Sequence, residues 1–177
     1  MRLSSAHHKL YALQNQEAVP AAQLRRYGKS GKGNRVPLIS VTRLRVRSWR
    51  YIPAFIIQAL RSGRQAKLAA GSIAVSIMRE ARNTFWTRTI WEHEEAMRAF
   101  MISGVHRKVM PSLLEWCDEA SVVHWLEERP ELPSWIEAHR RMQQEGRRSK
   151  VNHPSEAHRA YEIPSPDLRA KHELRFK

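Results

Sequence analysis

Hydrophobic positions along this chain recur with two different periods. A period of two is typical of half-buried strands, and repeats at three and four positions are typical of amphipathic helices. In the first alternating stretch, Thr42, Leu44 and Val46 fall on one face, whereas Arg43 and Arg45 fall on the other. The patterns predict strands over 38–46, 72–80, 84–91 and 121–126, and helices over 49–69, 92–101, 106–116 and 134–146.

The order of these elements is β-α-β-β-α-β, with the second helix interrupted at Ser103-Gly104 and one extra helix after the last strand. This order is typical of the α+β ferredoxin-like fold, in which helices cover one face of a four-stranded antiparallel sheet. The other face also needs a cover. We therefore expect a homodimer, a dimeric α+β barrel in which a second subunit's sheet supplies that cover.

The composition of the chain predicts one domain with two tails. Residues 1–35 lack sustained periodicity and contain a run of Gly and Lys, so we expect a flexible basic segment there. Residues 36–146 form the predicted ferredoxin-like domain with its C-terminal helix. Residues 147–177 are polar and contain three prolines, which predicts an extended basic tail.

The net charge of +14 is concentrated at the two ends of the chain. Residues 51–139 contain 10 Lys and Arg against 11 Asp and Glu, so the centre is nearly neutral. This distribution argues against a nucleic-acid reader whose folded core carries the positive face. Contacts of the basic tails with nucleic acid or anionic lipid are a third-ranked alternative.

The remaining composition excludes several classes of site. Cys117 is the single cysteine, which rules out an internal disulfide and a multi-cysteine metal site. The stretch His93-Glu94-Glu95 lacks the histidine spacing of a helical zinc motif, so no metal site is predicted. No apolar run is long enough for a membrane span, and the N-terminus has no apolar signal core, so we expect a cytoplasmic protein.

One stretch resembles a known family. It runs from Thr84-Phe85-Trp86-Thr87-Arg88-Thr89-Ile90-Trp91-Glu92 through Glu95-Ala96-Met97 to Ser103-Gly104-Val105-His106. Residues 38–125 resemble the antibiotic-biosynthesis-monooxygenase-like superfamily, in particular a subgroup of unknown function, and are distantly similar to spheroidene monooxygenase. The resemblance implies a dimeric barrel with a cavity between sheet and helices. Members include quinone-forming oxygenases, haem-degrading enzymes and proteins without known activity, so cofactor-independent and haem-linked chemistry both stay open, and no cofactor is specified.

Two residues are the candidates for catalysis. His106 follows the helix break, where its imidazole could act as a general base; the alternative is a packing role. Arg88 lies between aromatic residues on a strand and could hold an anionic oxygen of a substrate; the alternative is an arginine at a subunit interface.

Five further residues are candidates for substrate binding. Trp86 shares a strand face with Arg88, whereas Trp91 faces the opposite way. Trp49 and Tyr51 open the first helix and could form a cavity wall. His124 alternates with Val123 and Trp125 on the last strand, so it is expected on the open side of the sheet.

These residues fit two main functions. The first is a monooxygenase-like protein that acts on a hydrophobic aromatic or polyene molecule in the cavity. The second is a non-catalytic, small-molecule-binding or structural dimeric domain with the same cavity.

Overall fold

The computed structural model describes residues 36–168 and 172–176. Its strands are β1 (Leu38–Val46), β2 (Ser72–Glu80), β3 (Thr84–Trp91), β4 (Cys117–Leu126), β5 (Arg147–Arg148) and β6 (His172–Phe176). Its helices are α1 (Ile52–Leu68), α2 (Glu94–Met101), α3 (Gly104–Trp116), α4 (Trp135–Glu145) and α5 (Glu156–Ala160), and a 3-10 turn at Trp49–Tyr51 precedes α1. None of these helices has the length and apolarity needed to cross a bilayer. The predicted flexible segment 1–35 lies outside the described residues.

The strands form one antiparallel sheet in the order β5-β4-β1-β3-β2-β6. Its four central strands follow the ferredoxin-like topology, so the predicted fold is confirmed. The hairpin between β2 and β3 turns at Arg82 and Asn83, whose φ angles of 56° and 59° are left-handed. Two successive left-handed residues are typical of the tight turns that match the twist of paired strands.

Helices α1, α2 and α3 cover one face of the sheet. Each buries an aromatic or branched side chain against it: Phe55 of α1, Phe100 of α2 and Val109 of α3. The ring of Phe55 lies 4.5 Å from that of Phe85 on β3, measured between centroids. The alternation of β1 places Thr42 and Leu44 on this helix-covered face, as the pattern predicts.

Helix α4 covers the opposite face of the sheet. It packs Trp135, Ala138 and Met142 against Trp86 and Trp125, and all five side chains are buried. We expected a second subunit to cover this face, and that reasoning needs correction because the chain's own α4 covers it. A homodimer stays a prediction, but it requires another surface or the displacement of α4.

The chain after α4 differs from the predicted extended tail. β5 pairs with β4, and β6 adds a sixth strand at the edge formed by β2. The carboxylate of Glu173 on β6 accepts hydrogen bonds from Arg88 at 2.7 Å, Ser76 at 2.8 Å and the Trp135 indole at 3.0 Å. Because these partners lie far away in sequence, the polar composition of the tail does not show that it docks.

β4 begins at Cys117, four residues earlier than predicted. The sequence pattern predicts a turn at Asp118 and Glu119 and a strand only from Ser121, because acidic residues are depleted in strands. In the structure, Asp118 pairs with Arg45 at 2.8 Å and Glu119 pairs with Arg43 at 2.5 Å, both across the β1–β4 ladder. The acids therefore continue the strand because each neutralises an arginine of its neighbour.

Candidate functional site

A cavity of about 180 Å³ lies between the sheet and helices α1–α3. The sheet forms its floor and the helices form its roof. Most of its lining is apolar, and it includes Val75, Phe85 and Trp91 from the floor and Phe55, Phe100 and Val109 from the roof. An apolar cavity with few polar groups is typical of a small-molecule site.

Polar side chains form a patch on the cavity floor. The register of β1 and β3 places Ser40 opposite Thr89 and Thr42 opposite Thr87, and all four line the cavity. His124 of β4 lies opposite Ser40 on the other side of β1, and it also lines the cavity. Because the surrounding floor is apolar, this patch is where a polar atom of a ligand can be oriented.

His106 lies on the roof of the cavity, in the first turn of α3. Its Nδ1 is 3.1 Å from the carbonyl oxygen of Met101, and its ring is tilted against Phe100 at 4.7 Å between centroids. A carbonyl only accepts hydrogen bonds, so Nδ1 carries the proton and Nε2 is left as the acceptor of the neutral ring. Burial lowers the pKa of His106, and the hydrogen bond to Met101 opposes this shift only in part. The imidazole is therefore neutral at pH 7.

The break between α2 and α3 is held by the side chain of Gln65 on α1. Its Oε1 accepts a hydrogen bond from the backbone N–H of His106 at 3.0 Å, and its Nε2 donates to the carbonyl of Ser103 at 3.1 Å. Gly104 has a left-handed φ of 53°, and a Cβ there would lie 2.7 Å from the Gln65 amide. Gln65 therefore positions the start of α3 and, with it, His106.

Trp91 forms a rigid wall between the floor and α2. Its side chain is fully buried, and its indole Nε1 donates to the hydroxyl of Thr89 at 2.8 Å. The indole also stacks on Phe100 with centroids 5.2 Å apart. With its N–H satisfied, Trp91 presents an apolar aromatic surface to the cavity.

The charged groups of the cavity lining are all basic. Among the described residues that line it, Lys150 carries a positive charge, His106 and His124 are the other basic side chains, and no carboxylate lines it. The described part of the chain contains no group of three or more His, Cys, Asp or Glu side chains placed to hold a metal ion. The electrostatics of the cavity therefore suit a neutral or anionic ligand.

The structure brings together three of the seven predicted site residues. His106, Trp91 and His124 line the cavity, whereas Arg88 and Trp86 lie on the α4 face of the sheet. The opposite orientations of Trp86 and Trp91 agree with the strand pattern. The expectation that His124 faces the open side of the sheet needs correction, because it lines the cavity on the helix-covered face instead. The expectation that Arg88 acts beside His106 needs correction, because the sheet separates their side chains.

Arg88 instead connects α4 and β6 to the sheet. Its guanidinium lies 3.5 Å from the ring centroid of Trp135, donates to the carbonyl of Pro133 and pairs with Glu173. Burial lowers the pKa of Arg88 to about 10, opposed by the charge of Glu173, so the side chain stays cationic at pH 7. These contacts describe a structural residue.

Trp49 and Tyr51 do not line the cavity, and the cavity wall predicted there needs correction. Both belong to the turn that precedes α1, and Tyr51 packs against the core cluster around Phe55 and Phe85 without lining the cavity. Trp49 is 76% exposed. Tyr51 stacks on Trp116 at 6.2 Å, and the guanidinium of Arg47 lies over its ring at 5.1 Å.

Sequence reasoning missed the hydroxyls of the floor and the role of Gln65. A signal existed for the former, because Thr42 shares a strand face with Leu44, and Thr87 shares one with Phe85 and Trp91. A hydroxyl on an otherwise apolar strand face indicates a polar point in a buried surface. Gln65 gives no comparable signal, because its hydrogen-bond partners lie about 40 residues away. Local periodicity does not predict contacts between residues so far apart in the sequence.

Solved structures similar to this chain cover about half of it. A conserved protein of unknown function from Bacteroides thetaiotaomicron, described as a possible oxidoreductase, has 15% identity and a TM-score of 0.48, over 52% of this chain and 99% of its own. A protein from Nitrosomonas europaea, described as a candidate antibiotic biosynthesis monooxygenase, has 13% identity and a TM-score of 0.49, over 53% and 92%. A variant of SnoaB, a cofactor-independent oxygenase from Streptomyces nogalater, has 15% identity and a TM-score of 0.43, over 54% and 94%. All three structures are at most 15% identical to this chain and have TM-scores below 0.5, so the resemblance to the antibiotic-biosynthesis-monooxygenase-like group stays an expectation.

The sequence itself matches one family model. No curated protein matches the chain. The model described as "Domain of unknown function (DUF3291)" matches residues 52–153, which is more than half of the 177 residues and runs from α1 to the segment after β5. The chain that encloses this cavity therefore belongs to the DUF3291 family.

Proposed function

We propose that the protein binds a small aromatic molecule in the cavity and that His106 removes a proton from it, in chemistry like that of a cofactor-independent monooxygenase. One observation carries the proposal: a neutral imidazole, oriented by the Met101 carbonyl, lines a mostly apolar cavity. An apolar lining holds little water, so a proton acceptor there competes with few solvent molecules for the ligand's proton.

The volume of the cavity limits the size of the ligand. An engineered cavity of about 150 Å³ with an apolar lining binds benzene, so about 180 Å³ suits a molecule of one or two rings. Trp91 and Phe100 supply flat surfaces against which a ring can pack. An aromatic ligand is favoured over the polyene that the sequence also suggested, because an extended polyene exceeds this space.

The proposed proton acceptor lies on the roof of the cavity, and the proposed hydrogen-bond donors lie on its floor. Nε2 of His106 accepts the proton, and the hydroxyls of Thr42 and Thr87 donate hydrogen bonds to the oxygen that becomes negative. These hydroxyls take the role that sequence reasoning gave to Arg88. The resulting anion is electron-rich enough to react with dioxygen directly, so the protein's contribution is to orient and deprotonate it.

A non-catalytic binding domain is the second candidate, and one observation favours it. The Nδ1–H of His106 donates to a neutral carbonyl. A carboxylate in that place would raise the basicity of the ring, and the carbonyl does so less. Together with burial, this makes His106 available as an acceptor at neutral pH but weakly basic.

Replacement of His106 by asparagine distinguishes the two candidates. The amide nitrogen of Asn can take the place of Nδ1 and donate to Met101, but Asn has no counterpart of Nε2. Binding of phenols and naphthols is measured first, by quenching of tryptophan fluorescence, and oxygen consumption is then measured with the compounds that bind. We expect His106→Asn to keep ligand affinity within about threefold and to lower turnover about 100-fold or more.

The control is His172→Asn, which makes the same change at an exposed position on β6. It is expected to leave affinity and turnover unchanged. Binding of these compounds without oxygen consumption by the wild type would support the binding domain, and equal turnover per folded molecule in His106→Asn and the wild type would refute His106 as the base. Failure of every aromatic probe to bind the wild type would refute the cavity proposal.

A further inference from the structure

We infer that the ligand of this cavity is a small aromatic carboxylic acid whose carboxylate is bound by Lys150. The inference rests on the proposed function, because it names the ligand class of the same site. It draws on the placement of Lys150, the pairing of the nearby acids and the charge of the lining.

The backbone around Lys150 is fixed at one end of the cavity. The N–H of Ser149 donates to the carbonyl of Ala120 on β4 at 2.8 Å, and the N–H of Asn152 donates to the carbonyl of Leu114 on α3 at 2.9 Å. Between these two anchors, Val151 is buried in the core. Lys150 lines the cavity while remaining exposed, so its ammonium group can meet a ligand at the cavity mouth.

The acids near this end of the cavity are already paired with other groups. Asp118 pairs with Arg45, and Glu119 pairs with both Arg43 and Arg45. Glu115 accepts hydrogen bonds from the side chains of Asn152 and His153. No ion pair of Lys150 occurs within the described ranges 36–168 and 172–176, so its charge is available to an anion.

The geometry of α3 sets the shape of the ligand. Leu114, whose carbonyl accepts the hydrogen bond from Asn152 two residues after Lys150, and His106 are eight residues apart on this helix, which corresponds to about 12 Å. Since no carboxylate lines the space between them, an acid group meets no repulsion on entering. A carboxylate at Lys150 thus leaves room for a short spacer and a ring that reaches toward His106.

The test compares two probes of equal shape and different charge, naphthylacetate and naphthylacetamide. Their affinities are measured by tryptophan quenching at low salt for the wild type, Lys150→Gln, Lys150→Arg and Lys108→Gln. Lys108 is exposed on α3 and does not line the cavity, so its variant controls for the loss of one positive charge. A second pair, octanoate and octanamide, tests whether the apolar body is a ring or a chain.

We expect the wild type to bind naphthylacetate about fivefold more tightly than the amide, the scale of an ion pair at a partly exposed site. Lys150→Gln should abolish this preference, whereas Lys150→Arg and Lys108→Gln should keep it. Equal binding of both probes by the wild type, or a preference that survives Lys150→Gln, would overturn the role of Lys150 while leaving the cavity proposal intact. If the wild type binds neither naphthylacetate nor naphthylacetamide, the proposed function itself is refuted. Tighter binding of octanoate than of naphthylacetate would overturn the inference that the apolar part of the ligand is aromatic.

Discussion

The carboxylate of Glu173 holds the C-terminal strand and α4 to the sheet, and its replacement gives a quantitative test of the fold. Burial by itself raises the pKa of Glu173, but hydrogen bonds from Trp135, Arg175 and Ser76 and the charge of Arg88 outweigh it and hold the pKa at about 2. One pKa unit corresponds to about 1.4 kcal/mol, so the depression is worth roughly 3 kcal/mol. The side chain is 15% exposed, and solvent screening reduces the expected contribution to about 2 kcal/mol.

Glu173→Gln preserves the shape of the side chain and removes its charge, which leaves the guanidinium of Arg88 buried without an anion. We expect the free energy of unfolding at pH 7 to fall by about 2 kcal/mol and the melting temperature by about 4–8 °C, measured by circular dichroism. The control is Glu162→Gln, the same change at an exposed carboxylate, which should shift the melting temperature by less than 2 °C, or about 0.5 kcal/mol.

The dependence of this difference on pH has a definite sign. The folded-state pKa of Glu173 lies below the unfolded value, which is about 4.3, so its stabilisation is present above that pH and is lost as the pH falls toward 2. The stability of the wild type and of Glu173→Gln should therefore converge in this range. A loss no larger than that of Glu162→Gln, or a difference that does not change with pH, would refute the assignment of Glu173 as the charge partner of Arg88.

Two further predictions concern the start of α3. Gly104→Ala places a Cβ in a left-handed conformation against the Gln65 amide, so thermal melting should show a loss of about 1–2 kcal/mol; an unchanged melting temperature would contradict the role given to Gln65. Because burial lowers the pKa of His106, the acid limb of the kcat/KM profile for a turned-over ligand should lie below pH 6.5, and a midpoint above 6.5 would contradict His106 as the base.

The fold was largely predictable because the hydrophobic periodicity of each strand and helix is visible within its own stretch of sequence. The alternation of Thr42, Leu44 and Val46 identifies both the strand and the face that meets the helices. The start of β4 was missed because Asp118 and Glu119 are strand residues only beside the arginines of β1. The cover supplied by α4 was missed for a related reason, since an amphipathic helix pattern does not specify which apolar surface it will meet.

The candidate site was predictable only in part because strand alternation defines two faces without saying which one encloses the cavity. Trp91 and Trp86 were correctly placed on opposite faces of β3, yet both were expected near the ligand. Their assignment depends on where α4 docks, and that depends on contacts such as the one between Trp135 and Arg88. His106 was predicted as a site residue because it follows the helix break at Ser103-Gly104 and lies in the stretch that carries the family resemblance.

The two faces of β3 thus have separate roles, and this separation bears on how the protein works. On one face, Trp86 and Arg88 bind α4 and β6, whereas on the other Thr87 and Trp91 line the cavity. In a barrel closed by a second subunit, the face that Arg88 occupies would be formed by association. Here α4 of the same chain covers that face, and the described residues that line the cavity come from the sheet, helices α1–α3 and the segment 149–151. We therefore predict that a ligand of the proposed kind binds the cavity without a subunit partner, so that its affinity does not change when the protein is diluted.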